Sequence, residues 1–184
     1  MITENRLTAY INSLDQGDGE LIEQIAETAV KNRVPIIRRE TAALLKTMVT
    51  LVSPARILEV GTAVGYSALL MASVMPENCR ITTIEKYEKR IPIAKENFRK
   101  AGREDRITLL EGDATEILRE LEGTYDVIFM DAAKGQYIHF LPDILRLLPP
   151  GGLLISDNVL QDGDIIESRF AVTRRNRTIH ARMR

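Results

Sequence analysis

The spacing of apolar residues changes near residue 55, from a helical repeat to short, continuous apolar runs. Before that point, apolar residues three or four apart predict helices at 3–14, 19–32 and 41–52. After it, apolar runs predict strands at 56–60, 80–85, 106–110, 125–130 and 152–156, with helices between them at 66–75, 88–101, 114–121 and 137–148. Strict alternation of strand and helix predicts an α/β fold with a mostly parallel sheet, right-handed crossovers and helices on both faces.

The chain shows no internal repeat, low-complexity stretch or linker, so we expect one domain over 1–184. It divides into a helical extension (1–53), a core that binds cofactor and metal (54–160) and a basic C-terminal segment (161–184). No convincing strand follows the fifth one, which leaves an apolar strand at an edge of the sheet. Because exposed apolar edges promote aggregation, we expect a further piece of chain or a partner subunit to cover it.

The composition is that of an ordinary globular domain, with 45% apolar and 28% charged residues among 184. Cys79 is the only cysteine, so no disulfide can form within the chain. The N-terminus lacks the pattern of a signal peptide, and no apolar stretch has the length of a membrane span. We therefore expect a cytoplasmic protein that does not bind membranes.

Positive charge is concentrated in two places, although the net charge is only −1. Residues 169–184 contain six arginines and no acid, which leaves −7 on residues 1–168. A second group consists of Arg33, Arg38 and Arg39. The overall charge argues against a general nucleic-acid binder, but these clusters leave a specific RNA contact open. The simpler alternative is that these arginines lie on a helix surface and face solvent.

Acidic residues follow the predicted strands at their carboxyl ends, where open α/β sheets bind ligands. Any one of them could instead cap a helix or face solvent. Glu85 lies 20 residues after Gly65, the position of an acid that accepts hydrogen bonds from ribose hydroxyls. Asp113 could receive an adenine amino group or cap the helix that starts at Ala114, and both interpretations stay open.

The turn after the first strand, within residues 57–67, indicates which ligand the sheet binds. Gly61 and Gly65 are four residues apart, and Ala63 stands where a dinucleotide-binding turn has its middle glycine. A dehydrogenase is therefore disfavoured. Glu59, just before the turn, suits a cationic ligand better than a pyrophosphate. The pattern E-x-G-x-x-x-G resembles that of S-adenosylmethionine-dependent methyltransferases.

Two neighbouring strands end in possible metal ligands, Asp131 on the fourth and Asp157-Asn158 on the fifth. Two carboxylates and an amide oxygen suit Mg²⁺ or Ca²⁺, and three protein ligands leave about three positions for two substrate oxygens and a water. Lys134 follows Asp131 by three residues. It could act as a general base, with its pKa lowered by the nearby cation, or lie on the surface of its loop.

Together, Asp131-Ala-Ala-Lys134, Asp157-Asn158 and the glycine turn resemble the metal-dependent O-methyltransferases, from about Pro35 to Val159. That family includes catechol and caffeoyl-CoA O-methyltransferases. The resemblance implies a Rossmann-like methyltransferase fold, Mg²⁺ or another divalent cation on Asp131, Asp157 and Asn158, and Lys134 as the catalytic base. It also implies an S-adenosylmethionine site formed by Ile36, Glu59, Gly61, Ser67, Glu85, Asp113, Ala114 and Asp131.

The N-terminal helices and short loops look most like a bacterial branch that includes the tRNA 5-hydroxyuridine methyltransferase. Two features depart from the family. Its C-terminal antiparallel strand pair has no match here, and the aromatic residues that flank a catechol ring in the animal enzymes are absent, as is tryptophan.

We expect Mg²⁺-dependent methylation of 5-hydroxyuridine at the tRNA wobble position. The alternatives are the same chemistry on a small catechol-like molecule, and a non-catalytic protein that binds S-adenosylmethionine or RNA. We also expect a homodimer, because the N-terminal helices and the edge strand both need cover.

Overall fold

The computed structural model describes residues 5–14 and 17–159. The described helices are α1 (Asn5–Ser13), α2 (Glu20–Lys31), α3 (Arg39–Val52), α4 (Tyr66–Val74), α5 (Ile91–Lys100), α6 (Ala114–Glu120) and α7 (Tyr137–Leu147). The strands are β1 (Arg56–Val60), β2 (Arg80–Glu85), β3 (Ile107–Glu111), β4 (Val127–Met130) and β5 (Leu153–Ser156). Every predicted helix and strand is present, and the bounds differ from the predictions by a few residues. A 3₁₀ turn at Lys134–Gln136 was not predicted.

The five strands form one parallel sheet in the order β3-β2-β1-β4-β5. This confirms the predicted parallel sheet. Strand β1 lies at the centre, and its apolar residues Ile57, Leu58 and Val60 are all buried, as expected of a strand covered on both faces. The strand order reverses between β1 and β4, so the carboxyl ends of these two strands form the place where such sheets bind ligands.

Helices cover both faces of the sheet, as predicted. Successive residues of a strand point to opposite faces, so Ile57 and Leu58 belong to two separate apolar clusters. The cluster around Ile57 includes Leu45 of α3 and Leu69 of α4. Seven of the nine residues of α4 are buried, since α4 lies between the sheet and the N-terminal helices. The extension therefore contributes directly to the core of the fold.

Strand β5 pairs only with β4 among the described residues, and its four residues are partly exposed. This is the edge for which we predicted a cover. The basic segment 161–184 and the predicted absence of a terminal strand pair lie outside the described residues. Within the described ranges, no helix combines the length and apolar character needed to cross a membrane.

Candidate active site

A cavity of about 860 Å³ opens at the carboxyl ends of the central strands. Its walls come from the segment before α3, the glycine turn, the ends of β2 and β4, and the starts of α4 and α6. The lining residues are 35–37, 60–63, 66–67, 84–87, 90, 112–114, 131–136 and 140. They include every predicted cofactor residue except Glu59. A volume of this size accommodates a ligand as large as a nucleoside derivative.

The two glycines of the turn are required by packing. Gly61 has φ +106°, and a Cβ at this position would collide with the carbonyl oxygen of Asp131. Gly65 has φ +84°, and its Cβ would come within 2.5 Å of the Phe98 ring. Side chains are therefore excluded both by backbone conformation and by close neighbours. The turn consequently lies directly against the end of β4, which brings Gly61 and Asp131 together at the cavity wall.

Glu85 is held rigidly at the end of β2. Its Oε1 accepts hydrogen bonds from the backbone N–H groups of Lys86 (3.0 Å) and Tyr87 (2.8 Å). Its Oε2 accepts one from Ala63 (2.7 Å), so Oε2 retains the capacity to accept a further hydrogen bond from a ligand. This arrangement fixes the carboxylate at the wall where we predicted the ribose hydroxyls to bind.

Glu59 lies behind the cavity wall and is fully buried. Its two oxygens accept hydrogen bonds from the hydroxyls of Ser67 and Thr83, each at 2.5 Å. Burial raises the pKa of Glu59 to about 8, although these two hydrogen bonds oppose the shift. Ser67 lines the cavity and Glu59 does not, so Ser67 lies between Glu59 and the cavity. Direct contact of Glu59 with a cationic ligand stays a prediction.

Asp113 caps the N-terminus of α6, which was one of its two predicted roles. Its Oδ1 accepts a hydrogen bond from the backbone N–H of Thr115 at 2.8 Å. Its Oδ2 pairs with Lys86 Nζ at 3.2 Å. The hydrogen bonds from Thr115, supported by the Lys86 charge, hold the pKa of Asp113 below its usual value. Asp113 also lines the cavity beside Ala114, so contact with an adenine stays a prediction.

Asp131 and Asp157 meet around the ammonium group of Lys134. The Nζ of Lys134 lies 2.6 Å from Asp131 Oδ1 and 3.8 Å from Asp157 Oδ2. The two carboxylates come from the ends of adjacent strands, and Asn158 follows with a left-handed backbone (φ +47°). The structure thus brings together the two acids and the lysine that the sequence predicted. It does so from residues 26 positions apart in the chain.

This cluster carries more negative than positive charge. Burial raises the pKa of Asp157, and the nearby Asp131 carboxylate raises it further. Burial alone would lower the pKa of Lys134, but the interactions with Asp131 and Tyr137 together outweigh burial, so the pKa of Lys134 is raised. A lowered pKa for Lys134 was predicted for the site with a cation bound. That lowered pKa stays a prediction.

The oxygen donors of this cluster fit a hard divalent cation. Both carboxylates lie within 4 Å of Lys134 Nζ, and two carboxylates with one ammonium leave a net charge of about −1. Among the described residues, no three histidine, cysteine or acidic side chains form a metal-binding group. A cation held by Asp131 and Asp157 would therefore need Asn158 and ligand or water oxygens to complete its coordination.

Sequence reasoning missed Tyr137. Its phenol oxygen lies 3.1 Å from Lys134 Nζ and donates a hydrogen bond to the carbonyl of Met130 at 2.8 Å. The residue is buried, at the first position of α7. Its spacing of three residues from Lys134 was a usable signal, because residues at i and i+3 of a helical turn are neighbours.

The sequence profile described as "O-methyltransferase" matches residues 12–183. The chain belongs to the O-methyltransferase family. This confirms the recognition of S-adenosylmethionine-dependent O-methyltransferases from sequence at the level of the family. The bacterial tRNA-modifying branch stays a prediction.

Several relatives are named for catechol or caffeoyl-CoA. Catechol O-methyltransferase of Niastella koreensis is 36% identical over 127 residues, which cover 67% of this chain and 58% of that protein. A candidate caffeoyl-CoA O-methyltransferase from Staphylococcus aureus has a solved structure with a TM-score of 0.89, 34% identity, and coverage of 97% and 86%. The S-adenosylhomocysteine-bound methyltransferase of Podospora anserina has a TM-score of 0.87, 28% identity, and coverage of 100% and 86%.

Proposed function

We propose that this chain is a Mg²⁺-dependent O-methyltransferase that uses S-adenosylmethionine and an acceptor with two neighbouring oxygens. The observation that best supports this proposal is that Asp131, Lys134 and Asp157 lie together at the edge of a cavity of about 860 Å³. Asp131 belongs to both features, since it lines the cavity and pairs with Lys134. A methyl donor in the cavity and an acceptor on the acidic cluster would therefore be neighbours.

The cofactor would occupy the cavity with its ribose hydroxyls at Glu85 and its cationic end near Gly61 and Ser67. Three backbone N–H groups fix the Glu85 carboxylate, so it meets the hydroxyls without reorganisation. Ile36, Asp113 and Ala114 would complete the walls around the adenosine. The S-adenosylhomocysteine in the Podospora anserina structure supports this choice of cofactor.

Asp131, Asp157 and Asn158 would hold the Mg²⁺ ion. When bound, Mg²⁺ supplies Lewis-acid chemistry that lowers the pKa of an acceptor hydroxyl. Once Asp131 and Asp157 share their charge with a cation, they stabilise the ammonium form of Lys134 less. Lys134 would then release its own proton to water, and its neutral Nζ would take the acceptor proton. The acceptor oxygen forms its bond to the methyl carbon while the carbon–sulfur bond breaks, and the sulfur keeps that electron pair.

The first candidate acceptor is 5-hydroxyuridine at the tRNA wobble position, whose 5-hydroxyl and 4-oxo groups are neighbours. Arg33 and Arg38 are exposed on either side of the segment 35–37, which lines the cavity. The charge of Arg38 also acts on the carboxylate of Asp157. A polyanion bound along these arginines would bring a base to the acidic cluster.

A catechol is the second candidate, and the identity to the Niastella koreensis catechol O-methyltransferase favours it. The experiment compares tRNA that bears 5-hydroxyuridine with a panel of catechols, each incubated with S-adenosylmethionine and Mg²⁺. A gain of one methyl group in the tRNA nucleoside, found by mass spectrometry, supports the first candidate. Activity on catechols alone rejects it. Cofactor binding without methylation of either would instead support the non-catalytic binding protein.

A further inference from the structure

We propose that Tyr137 is a positioning residue for the methyl-transfer reaction, which ties Lys134 to the ends of β4 and β5. This inference rests on the proposed function, because Lys134 is the base of that reaction. Tyr137 does not line the cavity, so it would act through Lys134 and not through contact with the reactants.

The contacts of the phenol oxygen carry the argument. It accepts a hydrogen bond from Lys134 Nζ at 3.1 Å and donates one to the Met130 carbonyl at 2.8 Å. The carbonyl of Asp157, which directly follows β5, lies 3.3 Å away. Since a hydroxyl has one proton and two lone pairs, this set uses the oxygen both as donor and as acceptor. The phenol therefore connects the lysine to the Met130 carbonyl, and its single proton is within reach of the Asp157 carbonyl as well.

The place of these contacts in the sheet explains why they matter. The backbone N–H of Asp157 donates to the Met130 carbonyl at 2.9 Å, beyond the last paired residues of β4 and β5. Met130 directly precedes Asp131. The phenol shares the Met130 carbonyl with the Asp157 N–H, so it binds where the two acids leave the sheet. It is thus placed to hold the separation of Asp131 and Asp157 as well as the direction of Lys134.

The effect of the Tyr137 hydroxyl can be tested without disturbing the packing of the Tyr137 ring. The Tyr137 ring belongs to an apolar cluster with Phe140 and Ile144, so Tyr137→Phe keeps this packing and removes only the oxygen. The Lys134 side chain is 13% exposed and would then lose one of its hydrogen-bond acceptors. Its ammonium group would turn towards the carboxylates alone. A displacement of this kind costs rate because the base no longer meets the acceptor hydroxyl in a reactive geometry.

The experiment is a double-mutant cycle with Tyr137→Phe, Lys134→Met and the double variant. We expect Tyr137→Phe to lower kcat about tenfold, with the KM for S-adenosylmethionine within about twofold of wild type. In the Lys134→Met background, the same substitution should change kcat less than about twofold. Tyr125→Phe is the matched control, since Tyr125 is buried near the opposite end of β4, and it should match wild type.

A second cycle makes the test independent of turnover. Mg²⁺ binding to the four proteins is measured by isothermal titration calorimetry. We expect Tyr137→Phe to change the Mg²⁺ affinity when Lys134 is present and to change it less in the Lys134→Met background. Equal effects in both backgrounds, for kcat and for Mg²⁺ affinity, would overturn the proposal. Failure of wild type to methylate any acceptor would reject the proposed function instead, and the Mg²⁺ cycle would still decide the link between Tyr137 and Lys134.

Discussion

At the scale of single residues, the geometry of strand β1 determines where the carboxyl of Glu59 lies. Side chains of a strand alternate between faces, so Glu59 lies on the same face of β1 as Ile57, beneath α4. Ser67 belongs to α4 and meets Glu59 there. The sequence predicted an acid at the turn, and the alternation could also have predicted that Glu59 lies on the same face as Ile57.

Glu59 should make the stability of the protein depend on pH. The native state keeps the Glu59 proton up to about pH 8, whereas the unfolded chain releases it near the ordinary pKa of 4.5. The free energy of unfolding therefore falls as the pH rises between these two values. Glu59→Gln should flatten this part of the profile, measured by urea unfolding at pH 5, 6.5 and 8. The exposed Glu122→Gln should keep the wild-type slope, and equal slopes in all three proteins would refute the buried, protonated Glu59.

Gly61→Ala tests the close approach of the turn to β4. The variant combines a left-handed backbone (φ +106°) with a collision against the Asp131 carbonyl, so we expect a loss of more than about 2 kcal/mol in unfolding free energy. Gly151→Ala is the control, because Gly151 has φ +85° with open space around it. It should lose only about 1 kcal/mol. Equal losses, measured by urea denaturation, would show that the collision contributes nothing.

At the scale of elements, apolar spacing was sufficient to predict the helices and strands. Parallel strands covered on both faces are short apolar runs, and the runs here are separated by clear turn residues such as Gly61 and Gly151. The 3₁₀ turn at Lys134–Gln136 was missed because three residues are too short for a periodic signal. The turn nevertheless directs Lys134 to Asp131, so the missed element belongs to the site.

Substitutions of Asp113, which caps α6, can distinguish its two predicted roles, helix capping and adenine binding. Asp113→Ala should lower the unfolding free energy by about 1 kcal/mol, because the Thr115 N–H loses its acceptor. Asp113→Asn keeps an acceptor and should stay within about 0.5 kcal/mol of wild type. Cofactor affinity, measured by calorimetry, should fall in both variants if the carboxylate also binds the adenine. Unchanged affinity in both would leave Asp113 with the capping role alone.

At the scale of the whole molecule, the fold explains why so much of the site could be predicted. A parallel sheet places the carboxyl ends of all its strands at one edge, so acids that follow different strands converge without any contact being known. Asp131 and Asp157 were found in this way. The part played by Tyr137 depends on side-chain directions in three dimensions, which periodicity does not specify. A homodimer and a tRNA partner remain proposals.

The most direct test of the central claim measures methyl transfer from labelled S-adenosylmethionine at increasing Mg²⁺, after all divalent cations have been removed with EDTA. We predict no transfer without Mg²⁺, recovery when Mg²⁺ is added, and a loss of at least about 100-fold in Asp157→Ala with cofactor affinity retained. Glu122→Gln, remote from the acidic cluster, should behave as wild type. Transfer at the full rate in EDTA, or an active Asp157→Ala, would contradict a metal site at the ends of β4 and β5.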